Sequence, residues 1–249
     1  MLTHNNTITI SGAKLILTTL KKLGIDTIFG YPGGIVLDLY DELYKQNDIH
    51  HFLTRHEQSA VHAAEGYARE SGKCGIVLVT SGPGATNTVT GIVNAYLDGY
   101  PLIVITGQVF KNFIGKNAFQ EANICEITKS CTKKVYQVTE AKYIQKTLLN
   151  AYNTAMKGKK GPVVVDISKD VFSQSVEYMP VNSLLSNVDG ITPVNDIVRI
   201  FDKIMNSQKP VIVAGGGVAH STNASNLLYK FSKTLGVPVV STMMGLGTF

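Results

Sequence analysis

The sequence has no tryptophan and only three cysteines, Cys74, Cys125 and Cys131. The cysteines show no C-x-x-C spacing, so we expect reduced thiols in a reducing compartment instead of disulfides or structural zinc. No apolar run approaches the ~20 residues that a membrane-spanning helix needs. The first residues have neither the order of a signal peptide nor the arginine content of a transit peptide. These absences predict a soluble protein, without a membrane partner, that works where it is made.

Charged residues make up only 16% of the chain, which has a formal net charge of +5 and a pI near 9.0. A basic balance is one signature of nucleic-acid binding. Here, however, the lysines are scattered apart from 133–134 and 157–160, and no aromatic residues are interleaved with them. A solvated surface with a mild preference for anionic ligands explains the charge better. We therefore predict no nucleic-acid partner.

Helical and strand patterns alternate along the chain, and the strands include near-continuous apolar runs such as 75–80. Such strands are typical of a parallel sheet that is buried on both faces. The pattern predicts an α/β fold with a doubly wound parallel sheet that binds ligands at the carboxyl ends of its strands. We predict a first domain over 1–171, a polar linker over 172–193, and the beginning of a second Rossmann-like α/β domain over 194–249, which its two strands leave incomplete.

Glu57 lies in the run Arg55-His56-Glu57-Gln58, directly after a short apolar strand and at the start of a helix. The helix amides and the small residues that follow can hold and shield this carboxylate, so that a flat ligand can lie against it. The alternative is an ordinary N-terminal helix carboxylate, which the helix dipole favours. This stretch alone leaves both interpretations open.

Two glycine-rich turns follow strands. Gly82-Pro83-Gly84 lacks both the Gly-Lys-Ser/Thr ending of a Walker motif and the third glycine of a dinucleotide motif, so tight packing of a turn explains it nearly as well. Gly215-Gly216-Gly217 is the better candidate for a phosphate cradle, because glycine lets the backbone approach a pyrophosphate closely. The clustered histidines 50, 51, 56 and 62 lack the spacing of metal ligands, and we predict no metal site among them.

Four passages go beyond a generic α/β protein: Gly30-Tyr31-Pro32-Gly33-Gly34, the Glu57 run, 80–87, and Gly107-Gln108-Val109 together with 114–121. In this order the chain resembles the N-terminal half of the thiamine-diphosphate-dependent acetohydroxyacid (acetolactate) synthase family, large catalytic subunit. The resemblance covers essentially the whole chain. It implies decarboxylation of pyruvate and transfer of the acetaldehyde unit to pyruvate or 2-ketobutyrate, the first common step of branched-chain amino acid biosynthesis.

The resemblance also implies roles for individual residues. Glu57 corresponds to the glutamate that hydrogen-bonds the pyrimidine ring of thiamine diphosphate and favours its imino tautomer. The catalytic candidates are Glu57, Gln120 and Lys169, with Phe119 and Gln120 in the substrate pocket and Lys169 at its mouth. The cofactor-binding candidates are Glu57, Tyr31, Pro32, Gly33, Gly34 and Gly82 in the first domain, and Lys159, Gly215, Gly216, Gly217, Thr242, Met243 and Leu246 as part of a cradle for FAD.

The family holds the diphosphate and Mg²⁺ on a C-terminal domain through a Gly-Asp-Gly motif, which this sequence does not contain. The resemblance therefore implies an N-terminal fragment that is inactive alone, with its metal ligands elsewhere and 194–249 as the first part of a central FAD-contacting domain. It implies a homodimer or tetramer with a small regulatory subunit, in bacterial cytoplasm or in the plastid stroma. Three positions depart from the family pattern, namely Asn117, Lys159 and Ser168, where an acidic residue, arginine and proline are usual.

Two alternatives stay open. The first is a pyruvate oxidase or a 2-keto acid or acyl-CoA decarboxylase of the same fold, which shares the chemistry of Glu57 and differs in the acceptor. The second is a non-catalytic nucleotide-binding or regulatory module. The module predicts that Glu57→Gln leaves function unchanged, whereas an enzyme of this family predicts a severe loss.

Overall fold

The structure is a computed structural model that describes residues 8–178 and 194–249. The chain divides into two compact units, residues 1–188 and 189–249. In chain order the elements of the first unit are β1 (Ile8–Ser11), α1 (Gly12–Lys22), β2 (Thr27–Tyr31), α2 (Leu37–Tyr44), β3 (His50–Leu53), α3 (Glu57–Ser71), β4 (Gly75–Val79), α4 (Pro83–Thr86), α5 (Val89–Asp98), β5 (Leu102–Gln108), α6 (Ile124–Thr128), β6 (Lys134–Val138), α7 (Ile144–Met156), β7 (Pro162–Ser168), α8 (Lys169–Ser173) and β8 (Ser175–Tyr178).

Six of these strands form one parallel sheet in the order β3-β2-β4-β5-β7-β6. The central strands β4, β5 and β7 are buried along their whole length. Their side chains alternate between two apolar clusters, so that Ile76 packs with α1 and α7 on one face while Val77 packs with α3 and α5 on the other. Helices therefore cover both faces, and the predicted doubly wound α/β fold is confirmed.

Helix α1 illustrates how local sequence sets an element. The Ser11 hydroxyl accepts a hydrogen bond of 3.2 Å from the Lys14 amide and so caps the helix. The helix ends before Gly24, which has a φ of +76°, a conformation that glycine adopts readily at helix ends. Its last turn carries Lys21 and Lys22, whose positive charges interact favourably with the negative end of the helix dipole.

The first residues of the predicted linker, 172–193, form regular structure. Phe172 is fully buried on α8, and β8 pairs antiparallel with β1, with Ile8 opposite Tyr178. The sequence does contain a signal for β8, because less exposed residues, Val176 and Tyr178, alternate with exposed ones. The polar character of the surrounding residues favoured a linker instead. Residues 172–178 are thus regular structure, and the rest of the predicted linker, 179–193, lies outside the described residues.

The second unit contains α9 (Val194–Met205), β9 (Ile212–Ala214), α10 (Gly216–Ala219), α11 (Ala224–Leu235) and β10 (Val239–Ser241), followed by a 3-10 turn at Met243–Gly245. Strands β9 and β10 pair in parallel. Large apolar side chains such as Phe201, Val213 and Leu227 remain exposed, because two strands cover little surface. None of the helices in the described part of the chain combines the length and apolar character needed to cross a membrane.

Candidate active site at the carboxyl edge of the sheet

Glu57 is the first residue of α3, and only 8% of its surface is exposed. The preceding residue, His56, caps the helix, since its Nδ1 accepts a hydrogen bond of 3.2 Å from the Gln58 amide. Glu57 Oε2 accepts a hydrogen bond of 2.9 Å from Asn87 Nδ2, which follows α4. A nearly buried carboxylate is thus held by one side-chain donor at the edge where β2, β4 and β5 end.

The second carboxylate oxygen lies beside a surface that has almost no side chains. A Cβ atom on Gly84 would lie 3.4 Å from Glu57 Oε1 and 2.7 Å from Thr80 Cγ2. A Cβ atom on Gly33 would lie 2.5 Å from the same Thr80 methyl group, so the threonine fits between the two glycines. No atom lies within 4 Å of the position that a Cβ on Gly34 would take. Gly33 and Gly84 thus lie on either side of Thr80 next to Glu57, with open space at Gly34.

Two hydroxyl groups at this edge have no hydrogen-bond partner among the described residues, and both are buried: Thr80 Oγ1 and Ser81 Oγ. A buried hydroxyl without a partner costs about 1–3 kcal/mol. A ligand with polar atoms would remove that cost. No individual role was predicted for Thr80, Ser81 or Asn87, although all three belong to the motif 80–87.

Gly82 lies at the turn between β4 and α4 and has a φ of +58°, which disfavours any residue with a side chain. A Cβ atom there would lie 2.7 Å from the carbonyl oxygen of Gln120. The backbone of Gln120 therefore packs directly on the glycine turn. Gln120 itself has a φ of +57°, and this sparsely populated conformation is often found at functional sites.

Phe119 and Gln120 lie on the segment after β5. The side chain of Phe119 is 88% exposed, so it can contact a ligand or another chain. Glu121 closes this segment, because its carboxylate accepts hydrogen bonds from the amides of Gly115 and of Ala118, the latter at 2.9 Å. These backbone donors hold the pKa of Glu121 below its usual value.

Tyr40 lies on α2, and its buried hydroxyl is 3.2 Å from His51 Nε2. Burial, and next the negative charge of Glu57, raise the pKa of Tyr40. Burial also lowers the pKa of His51. Both groups are therefore expected to be neutral near pH 7.

The two predicted lysines lie at opposite edges of the sheet. Lys169 follows β7 at the carboxyl edge, and its Nζ lies 5.4 Å from the centre of the Phe110 ring. Lys159 precedes β7 and lies at the amino edge. Its Nζ donates a hydrogen bond of 3.1 Å to the Leu97 carbonyl at the end of α5. The structure does not bring Lys159 together with Glu57.

In the second unit the predicted cofactor segments meet each other. Gly215-Gly216-Gly217 follows β9 and Thr242 follows β10, and the Thr242 amide donates to the Ala214 carbonyl at 2.9 Å. A Cβ on Gly216 would lie 3.3 Å from Met244 Cβ. Met243 and Leu246 are exposed at 83% and 73%. The carboxyl edge of the β9–β10 pair is thus lined by glycines and two exposed apolar side chains.

No three His, Cys, Asp or Glu side chains come close enough to hold a metal ion within residues 8–178 and 194–249.

Two family models match this chain. The N-terminal TPP binding domain of thiamine pyrophosphate enzymes matches residues 10–127, a range that includes Glu57, Asn87 and Gln120. The central domain of the same enzymes matches residues 197–249. The chain belongs to the thiamine pyrophosphate enzymes.

Within this family the chain is similar to acetolactate synthases. It is 48% identical over 241 residues to the acetolactate synthase large subunit of Lactococcus lactis, covering 96% of this chain and 42% of that protein. It is 42% identical to the large subunit of Haemophilus influenzae, covering 96% and 43%, and 41% identical to the chloroplastic acetolactate synthase of Arabidopsis thaliana, covering 96% and 36%. The resemblance stated from the motifs is confirmed. The chain spans about two fifths of the length of these curated relatives.

Proposed function

We propose that this chain carries the pyrimidine-binding part of a thiamine-diphosphate-dependent acetolactate synthase. The enzyme decarboxylates pyruvate and transfers the two-carbon unit to pyruvate or 2-ketobutyrate, in the biosynthesis of valine, leucine and isoleucine. The observation that carries the proposal is the nearly buried Glu57, held by Asn87 beside glycine-lined open space. The names of the relatives favour the synthase over a pyruvate oxidase or a decarboxylase of the same fold.

The residues at the carboxyl edge fit the aminopyrimidine ring of thiamine diphosphate. The ring is flat and polar, Gly34 faces open space, and the hydroxyls of Thr80 and Ser81 are buried without partners among the described residues. Tyr31, Pro32, Gly33, Gly34 and Gly82 would line the ring. When bound, thiamine diphosphate supplies the nucleophilic carbon and the electron sink that decarboxylation of a 2-keto acid requires.

Glu57 would exchange a proton with a ring nitrogen of the ligand. Asn87 donates to Oε2, and an N–H donor is best accepted by an oxygen that carries no proton. The proton would therefore reside on Oε1, which faces the glycine surface. Proton transfer by a positioned side chain is typically worth ~10²–10⁴ in rate.

Three other residues would act on the substrate. Phe119 and Gln120 would contact the reacting carbons from the segment that packs on Gly82. Lys169 would attract the carboxylate of the 2-keto acid to the mouth of the site, because a cation at an exposed edge raises the local concentration of anionic substrates.

The remaining parts of the proposal concern groups beyond this edge. FAD would be contacted by the backbone amides and apolar side chains of Gly215 to Gly217, Thr242, Met243 and Leu246. Lys159, at the amino edge of the six-stranded sheet, would be a further contact of FAD. The Mg²⁺ ligands would lie outside this chain. Catalytic subunits would form a homodimer or tetramer with a small regulatory subunit, in bacterial cytoplasm or the plastid stroma.

The test compares Glu57→Gln with a matched control in the native polypeptide at its full length. Glu65 lies on the same helix, is equally buried at 7%, and accepts hydrogen bonds from Asn94 Nδ2 at 2.7 and 2.9 Å. Glu57→Gln should lower acetolactate formation by at least about 100-fold, whereas Glu65→Gln should leave it within about twofold. Equal effects of the two changes would reject the catalytic role of Glu57.

Product analysis separates the alternatives. Incubation of the native full-length protein, without substitutions, with pyruvate should give acetolactate. Acetyl phosphate would indicate an oxidase, and free acetaldehyde a decarboxylase. Full retention of function in Glu57→Gln would indicate a non-catalytic module.

A further inference from the structure

Gln108 is the last residue of β5, and only 2% of its surface is exposed. Its Oε1 accepts a hydrogen bond of 2.9 Å from the Val109 amide, and its Nε2 donates one of 2.8 Å to the Ala122 carbonyl. Residues 109–122, here called the 109–122 loop, carry Phe119 and Gln120. One carboxamide therefore bonds the first and the last residue of this loop.

Asp166 fixes the direction of that carboxamide. It lies on the neighbouring strand β7, is fully buried, and its Oδ2 accepts a hydrogen bond of 3.0 Å from Gln108 Nε2. An ionised carboxylate and a backbone carbonyl only accept hydrogen bonds, whereas the Val109 amide only donates. Only one orientation of the Gln108 carboxamide satisfies all three partners, so a flipped side chain would lose every bond.

The loop is held at two points. At its base, Gln108 joins Val109 to Ala122. Two residues before Ala122, the backbone of Gln120 packs on Gly82, beside the turn that positions Asn87. The Glu121 carboxylate, which bonds the Ala118 amide, makes the end of the loop compact. If the base opens, the loop loses the constraint that keeps Gln120 against the glycine turn, because closing an open loop again costs conformational entropy.

We propose that Gln108 is a positioning residue that keeps the 109–122 loop closed at its base, so that the backbone of Gln120 stays against Gly82 and holds the neighbouring Phe119 in place, and that Asp166 sets the direction of the Gln108 amide. The part that concerns catalysis rests on the proposed function. The part that concerns the loop does not, and it has its own measurement.

The decisive variant exchanges the two groups: Gln108→Glu together with Asp166→Asn, in the native full-length protein. It keeps one carboxylate and one amide at the same two positions, so the hydrogen bond between β5 and β7 is restored in the opposite direction. It cannot restore the bond to Ala122, because the introduced carboxylate has no proton to donate to a carbonyl. Gln108→Met is the second variant, since it keeps the length of the side chain and removes all three bonds without adding charge.

Thr106→Val is the control. The Thr106 hydroxyl donates to Asp166 Oδ1 at 2.7 Å, so this change weakens the same buried network without touching the loop. It should lower stability and leave the loop unchanged.

The loop is measured by hydrogen exchange of peptides that cover residues 115–124, and catalysis by kcat and KM for pyruvate. The exchanged pair and Gln108→Met should both speed amide exchange there at least tenfold and lower kcat at least tenfold, while Thr106→Val changes neither. Wild-type exchange and turnover in the exchanged pair would overturn the proposal and show that only the strand-to-strand bond matters. Faster exchange with unchanged kcat would retain the loop closure and reject the catalytic roles of Phe119 and Gln120. Absence of acetolactate from the native full-length protein without substitutions would reject the proposed function alone, since the hydrogen-exchange result does not depend on catalysis.

Discussion

Asn87 Nδ2 donates to Glu57 Oε2 at 2.9 Å, and the same chemistry recurs further along α3, where Asn94 Nδ2 donates to Glu65. Both carboxylates are nearly buried. Only Glu57 lies at the edge where the parallel strands end and ligands bind. The second pair can therefore serve as the reference for what such a contact contributes to stability away from that edge.

Asn87→Ala should lower both stability and turnover. The change leaves a nearly buried carboxylate without its donor, which costs about 1–3 kcal/mol, and it frees Glu57 to rotate. Asn94→Ala should cost a similar or smaller amount, since His62 Nδ1 also lies 3.4 Å from Glu65, and should leave acetolactate formation within about twofold. Urea unfolding and turnover measured on both variants check the prediction. An equal loss of turnover in both would contradict it.

Gly82→Ala should destabilise the protein by about 1–3 kcal/mol, because its positive φ is strained for alanine and the new methyl group overlaps the Gln120 carbonyl. Gly66→Ala is the matched substitution. Gly66 lies within α3 with no atom within 4 Å of a new Cβ, so alanine should stabilise the helix by about 0.5–1 kcal/mol. Thermal unfolding of the two variants should move in opposite directions, and a shift in the same direction would be inconsistent with these backbone conformations.

Asp166 should make stability depend on pH between about 4 and 6. Burial raises the pKa of this carboxyl from 3.8 to about 6, although Thr106, Gln108, Gln137 and the Cys125 thiol all donate to it. The folded state thus holds the proton more tightly than the unfolded state. The resulting stability is fully present below pH 3.8 and is lost as the pH rises through about 6, with a total of about 3 kcal/mol.

The non-titrating comparison is Asp166→Asn. The difference in unfolding free energy between this variant and the unchanged protein should vary with pH from 4 to 6 and be constant above about 7. Urea unfolding at several pH values measures it. A difference that is constant throughout would show that Asp166 titrates near its ordinary value.

Lys159→Met should leave thiamine diphosphate binding unchanged, because Lys159 lies at the amino edge, away from Glu57. It removes a hydrogen bond to Leu97 at the surface, so stability should fall by no more than about 1 kcal/mol. Calorimetric titration with thiamine diphosphate and the flavin content of the purified protein separate the two cofactors, with Lys159→Arg as the control that keeps the charge. Loss of thiamine diphosphate binding in Lys159→Met would contradict this placement.

Much of the sheet could be predicted from local patterns. The apolar run 75–80 predicts a buried strand, and β4 occupies Gly75–Val79. Strands β1 and β8 were missed, because each has four residues and their pairing joins the two ends of the unit. No short stretch of sequence includes both strands, so local patterns cannot predict that they pair.

Some features of the candidate site are likewise local and predictable from the sequence, whereas others depend on contacts between distant residues. The position of Glu57 at a helix start is a local property, and the sequence predicts it. The contacts Asn87 to Glu57 and Gln108 to Asp166 join residues that are far apart in the chain, so they depend on strand order and helix packing. The edge on which Lys159 lies could have been inferred, since a residue before a parallel strand lies opposite those that follow it.

The antiparallel pair of β1 and β8 also has a mechanical consequence. Ile8 and Tyr178 are opposite each other, so the two ends of the described part of the first unit lie side by side. Force that pulls these two residues apart would break the hydrogen bonds of the pair one after another. The six-stranded sheet would bear load only after the pair had separated. Such a force would therefore separate β1 from β8 before it distorted the edge that holds Glu57.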